Sequence, residues 1–180
     1  MKKMLFVTFS GLLCLLFSCK SKDSGGGMSA QAQKNLDAIH GITKAIETGD
    51  LSKLGDYIAA DAVDHSGEHG DVKSLDSIKA QLATWTNMAS DMKTEIIKEI
   101  ADDEYVMSFS TQSGTMKAAA MGMPAGPYKM TTVEVSKFKD GKATEHWTFM
   151  DGAEMMKMMG GAQSPMEMKS DTTKKMDSKM

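Results

Sequence analysis

The chain has 180 residues, 24 of them acidic and 21 basic, for a formal net charge of −3, and every basic residue is Lys. A mildly acidic chain without Arg argues against nucleic-acid binding, which relies on basic stripes and Arg contacts. It argues equally against bidentate clamping of phosphate or carboxylate, for which the planar guanidinium is suited.

Lys2 and Lys3 form a short basic head, and Met4 to Phe17 is a 14-residue apolar run broken only by Thr8, Ser10 and Gly11. The run is shorter than the roughly 20 apolar residues that a spanning helix needs. A basic head, a short apolar run and a small residue before the break describe a secretory signal. The end of the run, Leu16-Phe17-Ser18-Cys19, resembles the lipobox of bacterial lipoproteins. That resemblance implies that residues 1–18 are a signal peptide, cleaved before Cys19, with palmitate-type acyl chains carried on Cys19. Two or more such chains hold a protein stably on a bilayer. Cys14 lies in the removed segment, so the mature chain is expected to have no free thiol, no cysteine catalysis and no thiolate metal site. Removal of Lys2 and Lys3 leaves 19 basic against 24 acidic residues, a net charge of −5. Lys20 is not the Asp that favours inner-membrane retention in lipoproteins of this kind, so the expected address is the outer membrane of the cell envelope.

Residues 19–28 read as the lipidated Cys followed by a polar, Gly-rich tether. Residues 29–151 have the size and composition of one domain. Leu36, Ile39, Ile42 and Ile46 recur at helical spacing, which predicts a helix from Ser29 to Thr48 that stops at Gly49. Asp50 is placed to cap a short second helix with Leu51, Leu54 and Ile58 on its apolar face. A short strand and then a third helix follow, the latter carrying Leu75, Ile78, Leu82, Trp85 and Ala89 with Ser74 as its cap.

Strands are expected over Met92–Ala101, around Tyr105–Ser110, over Tyr128–Phe138 and over Ala143–Met150. Asp140-Gly141 supplies a tight hairpin turn, because both residues tolerate positive φ. Residues 116–127 are rich in Gly, Pro and small residues and read as a long hairpin loop. Helices followed by antiparallel strands predict an α+β domain. Residues 152–180 contain no aromatic residue, Leu, Ile or Val, so no fixed packing is expected beyond a helical turn near Met155 to Met159.

Two stretches carry a family resemblance. Residues 47–65, ETGDLSKLGDYIAADAVDH, and residues 137–151, KFKDGKATEHWTFMD, resemble the opening and the last hairpin of SnoaL-like domains of the nuclear transport factor 2-like superfamily. The resemblance implies a strongly bent antiparallel sheet, wrapped on three N-terminal helices into a cone with an apolar cavity. It implies a small, partly apolar ligand and no cofactor. It also implies pairing of two copies through the outer sheet face. The superfamily includes cyclases, isomerases and dehydratases beside binding proteins without catalysis, so function must be argued from the site.

The last strand holds the first candidates. Alternation puts Thr144, His146 and Thr148 on one face, and Glu145, Trp147 and Phe149 on the other. In SnoaL-like cyclases an acidic group in this region works as acid or base beside a His. Here His146 stands before Trp147 where the family has Asp, so His146 is the leading acid/base candidate, supported by Glu145. His65 is the second candidate, at the cavity mouth by family likeness. Tyr57, Trp85, Tyr105 and Trp147 are candidate aromatic walls, set against ordinary core packing.

The loop 64–71 holds His65, Glu68 and His69, but its two Gly argue against the helical spacing that a two-His metal site needs, and it reads as a polar loop. The chain has 19 Met, eight of them between 152 and 180. Met156, Met158, Met166 and Met168 form Met-x-Met pairs whose soft thioethers suit Cu(I). A copper-handling lipoprotein is therefore one alternative to a ligand-binding domain, and a non-catalytic interaction domain is another.

Overall fold

The computed structural model describes residues 27–67 and 69–158. Cys19, the signal segment, Glu68, Met166 and Met168 lie outside the described residues. Helix α1 spans Ala30–Thr48. Ser29 caps it, its hydroxyl accepting from the Ala32 N–H at 3.0 Å, and Gly49 ends it in the left-handed region at φ 71°. The apolar stripe divides its work. Leu36 and Ala38 are buried in the core with Val106, Phe138 and Ala143, whereas Ile39, Ile42 and Ile46 line a cavity.

The second helix, α2, is a single turn at Leu54–Tyr57. Asp50 does not cap it; its carboxylate accepts from the Ser52 N–H at 3.1 Å, and Lys53 stands at the cap position. Ile58 is not on that helix either. It opens strand β1 (Ile58–Asp64), where it is buried with Ala45, Leu54, Ala62 and Ile78. Strand β2 (Val72–Lys73) follows, and then α3 (Leu75–Met88), capped by the Ser74 hydroxyl as expected. Four long strands complete the sheet: β3 (Ala89–Ala101), β4 (Tyr105–Met116), β5 (Gly126–Lys139) and β6 (Lys142–Met150). Helix α4 (Gly152–Met158) ends the described chain and begins one residue after the expected domain boundary. It is tied to β5, where Glu154 accepts from the Thr131 N–H at 2.9 Å.

The six strands run in the order β2-β1-β6-β5-β4-β3. All neighbours are antiparallel except β1 and β6. Asp140 and Gly141 both have positive φ, at 55° and 80°, which matches the twist of the β5–β6 hairpin. Register breaks at Lys137/Phe138, Ser90/Lys93 and Ile96/Lys98 bend the sheet so that it curls around α1. The α+β cone is therefore the fold of this chain.

The two faces of the sheet have an unusual polarity. On β4 the alternation buries Val106, Ser108 and Ser110 and leaves Tyr105, Met107 and Phe109 outside. On β5 the inward set is Thr132, Glu134, Ser136 and Phe138. Of this inner face Glu134 and Ser136, with Gln112 on β4, line a cavity, whereas Ser108, Ser110 and Thr132 are buried with their hydroxyls hydrogen-bonded. The outer face is the apolar one: Ile97, Ile100, Met107 and Phe149 are 55%, 62%, 44% and 56% exposed. This is the face through which the family resemblance implies pairing of two copies.

Candidate functional site

The cavity has a volume of about 210 Å³. Helix α1 contributes Ile39, Ile42, Thr43 and Ile46 to its wall, and α3 contributes Ile78, Leu82 and Trp85. The curled sheet supplies the polar side: Asp64, Thr94, Gln112, Glu134, Ser136 and His146. One half of the space is thus apolar and the other holds groups able to donate, accept or carry protons.

The parallel pairing of β1 with β6 builds the centre of the site. It sets Asp64 opposite His146, and the His65 N–H donates to the His146 carbonyl at 2.9 Å to hold that register. His146 Nδ1 lies 3.1 Å from Asp64 Oδ1, with side chains 32% and 17% exposed. Ser66 fixes the carboxylate from behind, its N–H donating at 2.9 Å. Burial pushes the Asp64 carboxyl up, but the hydrogen bond and charge of His146 and the contact with Ser66 outweigh it and hold the group below the usual range. Burial likewise pushes the His146 imidazole down. The Asp64 hydrogen bond and the negative charges of Asp64 and Glu134 overcome this and raise it. The pairing with Asp64 thus favours the imidazolium form of His146, on the polar side of the cavity.

Glu134 stands two residues from Ser136, which pairs with His146 across β5 and β6. Its carboxylate accepts from Gln112 Nε2, which also donates to Thr132 Oγ1 at 3.3 Å. Glu134 and Gln112 were not singled out from the sequence. Their signal was present: polar residues at Thr132, Glu134 and Ser136 alternate with Val133 and Val135, and Ser108, Ser110 and Gln112 do the same. Such a strand has a polar face that must meet either solvent or a ligand.

The other candidates fall elsewhere. His65 lies in the turn after β1 and is not among the residues that line the cavity. Its ring stacks on Trp147, with centroids 4.8 Å apart and an interplanar angle of 15°. Its Nδ1 meets Asp71 at 3.0 Å and its Nε2 meets Glu145 at 3.4 Å. The Asp71 contact chiefly raises the imidazole, against burial and with help from Glu145. Glu145 borders the cavity, yet its carboxylate is engaged by Lys137 at 2.9 Å, which holds it below its ordinary range.

Of the four aromatic candidates, Trp85 lines the cavity; Tyr57, Tyr105 and Trp147 do not. Tyr57 packs against α1, where a Cβ at Gly41 would come within 2.4 Å of its ring. Only glycine permits that approach. Tyr105 is 38% exposed on the outer face. Met156 is exposed on α4, which also contains Met158. No group of three or more His, Cys, Asp or Glu able to hold a metal occurs among the described residues. Nor, among them, is any helix long and apolar enough to cross a membrane.

A family model of SnoaL-like polyketide cyclases matches residues 37–159, more than half of the chain. The chain belongs to the SnoaL-like family. A solved structure of IdmH, a putative polyketide cyclase from Streptomyces antibioticus, is 28% identical to this SnoaL-like chain. It matches with a TM-score of 0.59 over 70% of this chain and 98% of its own. A putative SnoaL-like polyketide cyclase from Jannaschia sp. CCS1 matches with a TM-score of 0.65, at 13% identity, over 78% of this chain and all of its own. An LEH-like epoxide hydrolase from M. tuberculosis matches with a TM-score of 0.61, at 14% identity, over 73% and 88%. The latter two show the shared fold alone. No curated protein matches the SnoaL-like chain. Cyclase and epoxide hydrolase descriptions on one fold agree with the rule that the site, not the fold, decides the chemistry.

Proposed function

We propose that this SnoaL-like domain binds a small, partly apolar molecule in its cone cavity and handles protons there through His146. The observation that carries the reading is the Asp64–His146 pair set at 3.1 Å on the polar wall of a cavity whose helical side is apolar. A protonated imidazole aimed at a ligand carbonyl or hydroxyl can donate a hydrogen bond or a proton. Asp64 orients the ring and stabilises its cation, as a carboxylate partner does for other acid/base histidines. Glu134, on the same inner face, is the group available to take a proton from the ligand. No step of this scheme calls for a cofactor.

The proposal includes the address. The pattern ending at Cys19 supports lipid anchoring in the cell envelope, with the outer membrane as the expected bilayer. The domain would then act outside the cytoplasm, on a ligand met at or near that membrane.

Filling the cavity tests the binding claim. Ile46 lines it without belonging to the buried core clusters. Ile46→Trp should occupy the space and leave the fold intact. Protein isolated from its host envelope and extracted with solvent is expected to release a small molecule from the native chain and none from the variant. Equal recovery from both would show that any such molecule sits elsewhere.

A further inference from the structure

The charges on the cavity wall do not balance, and this points to the kind of ligand head group. Three carboxylates border the space: Asp64, Glu134 and Glu145. Glu145 is matched by Lys137 on the outer face, and Asp64 is matched by His146. Among the described residues Glu134 has no ion-pair partner; its charge is felt by His146, which is itself held by Asp64. The hydrogen-bond donor to Glu134 is the neutral amide of Gln112, and no Lys lines the cavity. His146, already bonded to Asp64, is the one side chain among the described lining residues able to carry a positive charge.

We propose that the cavity selects a ligand with a cationic amine head and an apolar body, the ammonium group binding the Glu134 carboxylate. The inference rests on the cavity reading above and adds the chemical class of the ligand. A ligand that fills the cavity displaces the water that solvates Glu134. An anionic ligand would then face a like charge, and a neutral one would leave the carboxylate desolvated and unpaired. An ammonium group replaces the lost solvation with charge-assisted hydrogen bonds. Trp85, on the wall supplied by α3, adds an aromatic surface to the lining. Ile39, Ile42, Ile46 and Leu82 complete an apolar wall for the body.

Three probes of one shape separate head-group chemistry from cavity filling: benzylamine, benzyl alcohol and benzoate. Calorimetric titration into the purified full chain near neutral pH should show benzylamine binding about tenfold or more tightly than the other two. Glu134→Gln should bring benzylamine to within about twofold of benzyl alcohol, which is the expected signature of losing one charge pair. Glu95→Gln, at an exposed carboxylate paired with Lys93, should leave all three affinities unchanged. Benzyl alcohol binding as well as benzylamine would overturn the amine assignment and keep the cavity reading. A preference for benzylamine that survives Glu134→Gln would overturn it as well. Binding of none of the three would count against the amine assignment and the cavity reading together.

Discussion

Replacing His146 by Leu should lower stability by about 1–3 kcal/mol and cut proton transfer to a bound ligand by about 100-fold or more. Leu nearly conserves the volume, so the loss measures the pair rather than a hole. Without His146 the Asp64 carboxylate keeps the Ser66 N–H but loses its cation in a half-buried setting. The figure sits below that for fully buried pairs, because both side chains retain some exposure, 32% and 17%. The double variant Asp64→Asn/His146→Leu should be more stable than the sum of the single changes predicts, since it removes the stranded charge.

The same pair sets the pH dependence of folding. His146 is raised above its ordinary value of 6.5, so its stabilising contribution is complete below about that pH. It is lost as the pH climbs through the raised value. Asp64 is lowered below its ordinary 3.8, so its contribution is present above that value and is lost as the pH falls through the lowered one. The thermal midpoint should therefore be highest between about pH 4 and pH 6.5 and decline on both sides. His65, also raised, adds to the alkaline decline. In His146→Leu the alkaline limb should shrink to the part owed to His65. A native midpoint that rises steadily from about pH 6 to pH 9 would contradict this assignment of charges.

The second large effect concerns the address. Cys19→Ser should move the protein from the membrane fraction to the soluble envelope fraction almost completely. The reason is arithmetical. Each buried methylene contributes about 0.8 kcal/mol to partitioning, so two acyl chains on Cys19 would hold the protein firmly on a bilayer. The exposed apolar outer sheet face is the competing means of attachment. Fractionation distinguishes them, because a protein held by that face stays on the membrane after Cys19→Ser. Full retention of the variant would refute lipid anchoring through Cys19.

Much of the fold could be read from periodicity. Helix α1, helix α3 and the β5–β6 hairpin have regular apolar spacing and clear caps or turns, which are local properties of the chain. The errors lie where tertiary context decides. Ile58 fits the stripe of a short helix, yet burial beneath α3 draws it into β1. Alternation sets His146 apart from Trp147, although Glu145 beside His146 also borders the cavity. It cannot say which face looks inward. That depends on β1 lying parallel to β6, a long-range pairing with no local signature. His65 and Trp147 therefore share an outer stack instead of the cavity, while Asp64 occupies the inner position. Glu134 and Gln112 escaped notice because a polar inner strand face resembles an ordinary solvated one until the sheet curls.

The central claim is that the chamber between Trp85 and the Asp64–His146 pair is a ligand site. A high-resolution crystal structure of the protein purified from its own host envelope tests this most directly. The account predicts ordered density in the cavity, with a polar atom within hydrogen-bond distance of His146 Nε2 and an apolar part against Trp85 and Ile42. A cavity closed by its own side chains, or a ligand found only on the outer sheet face, would contradict it.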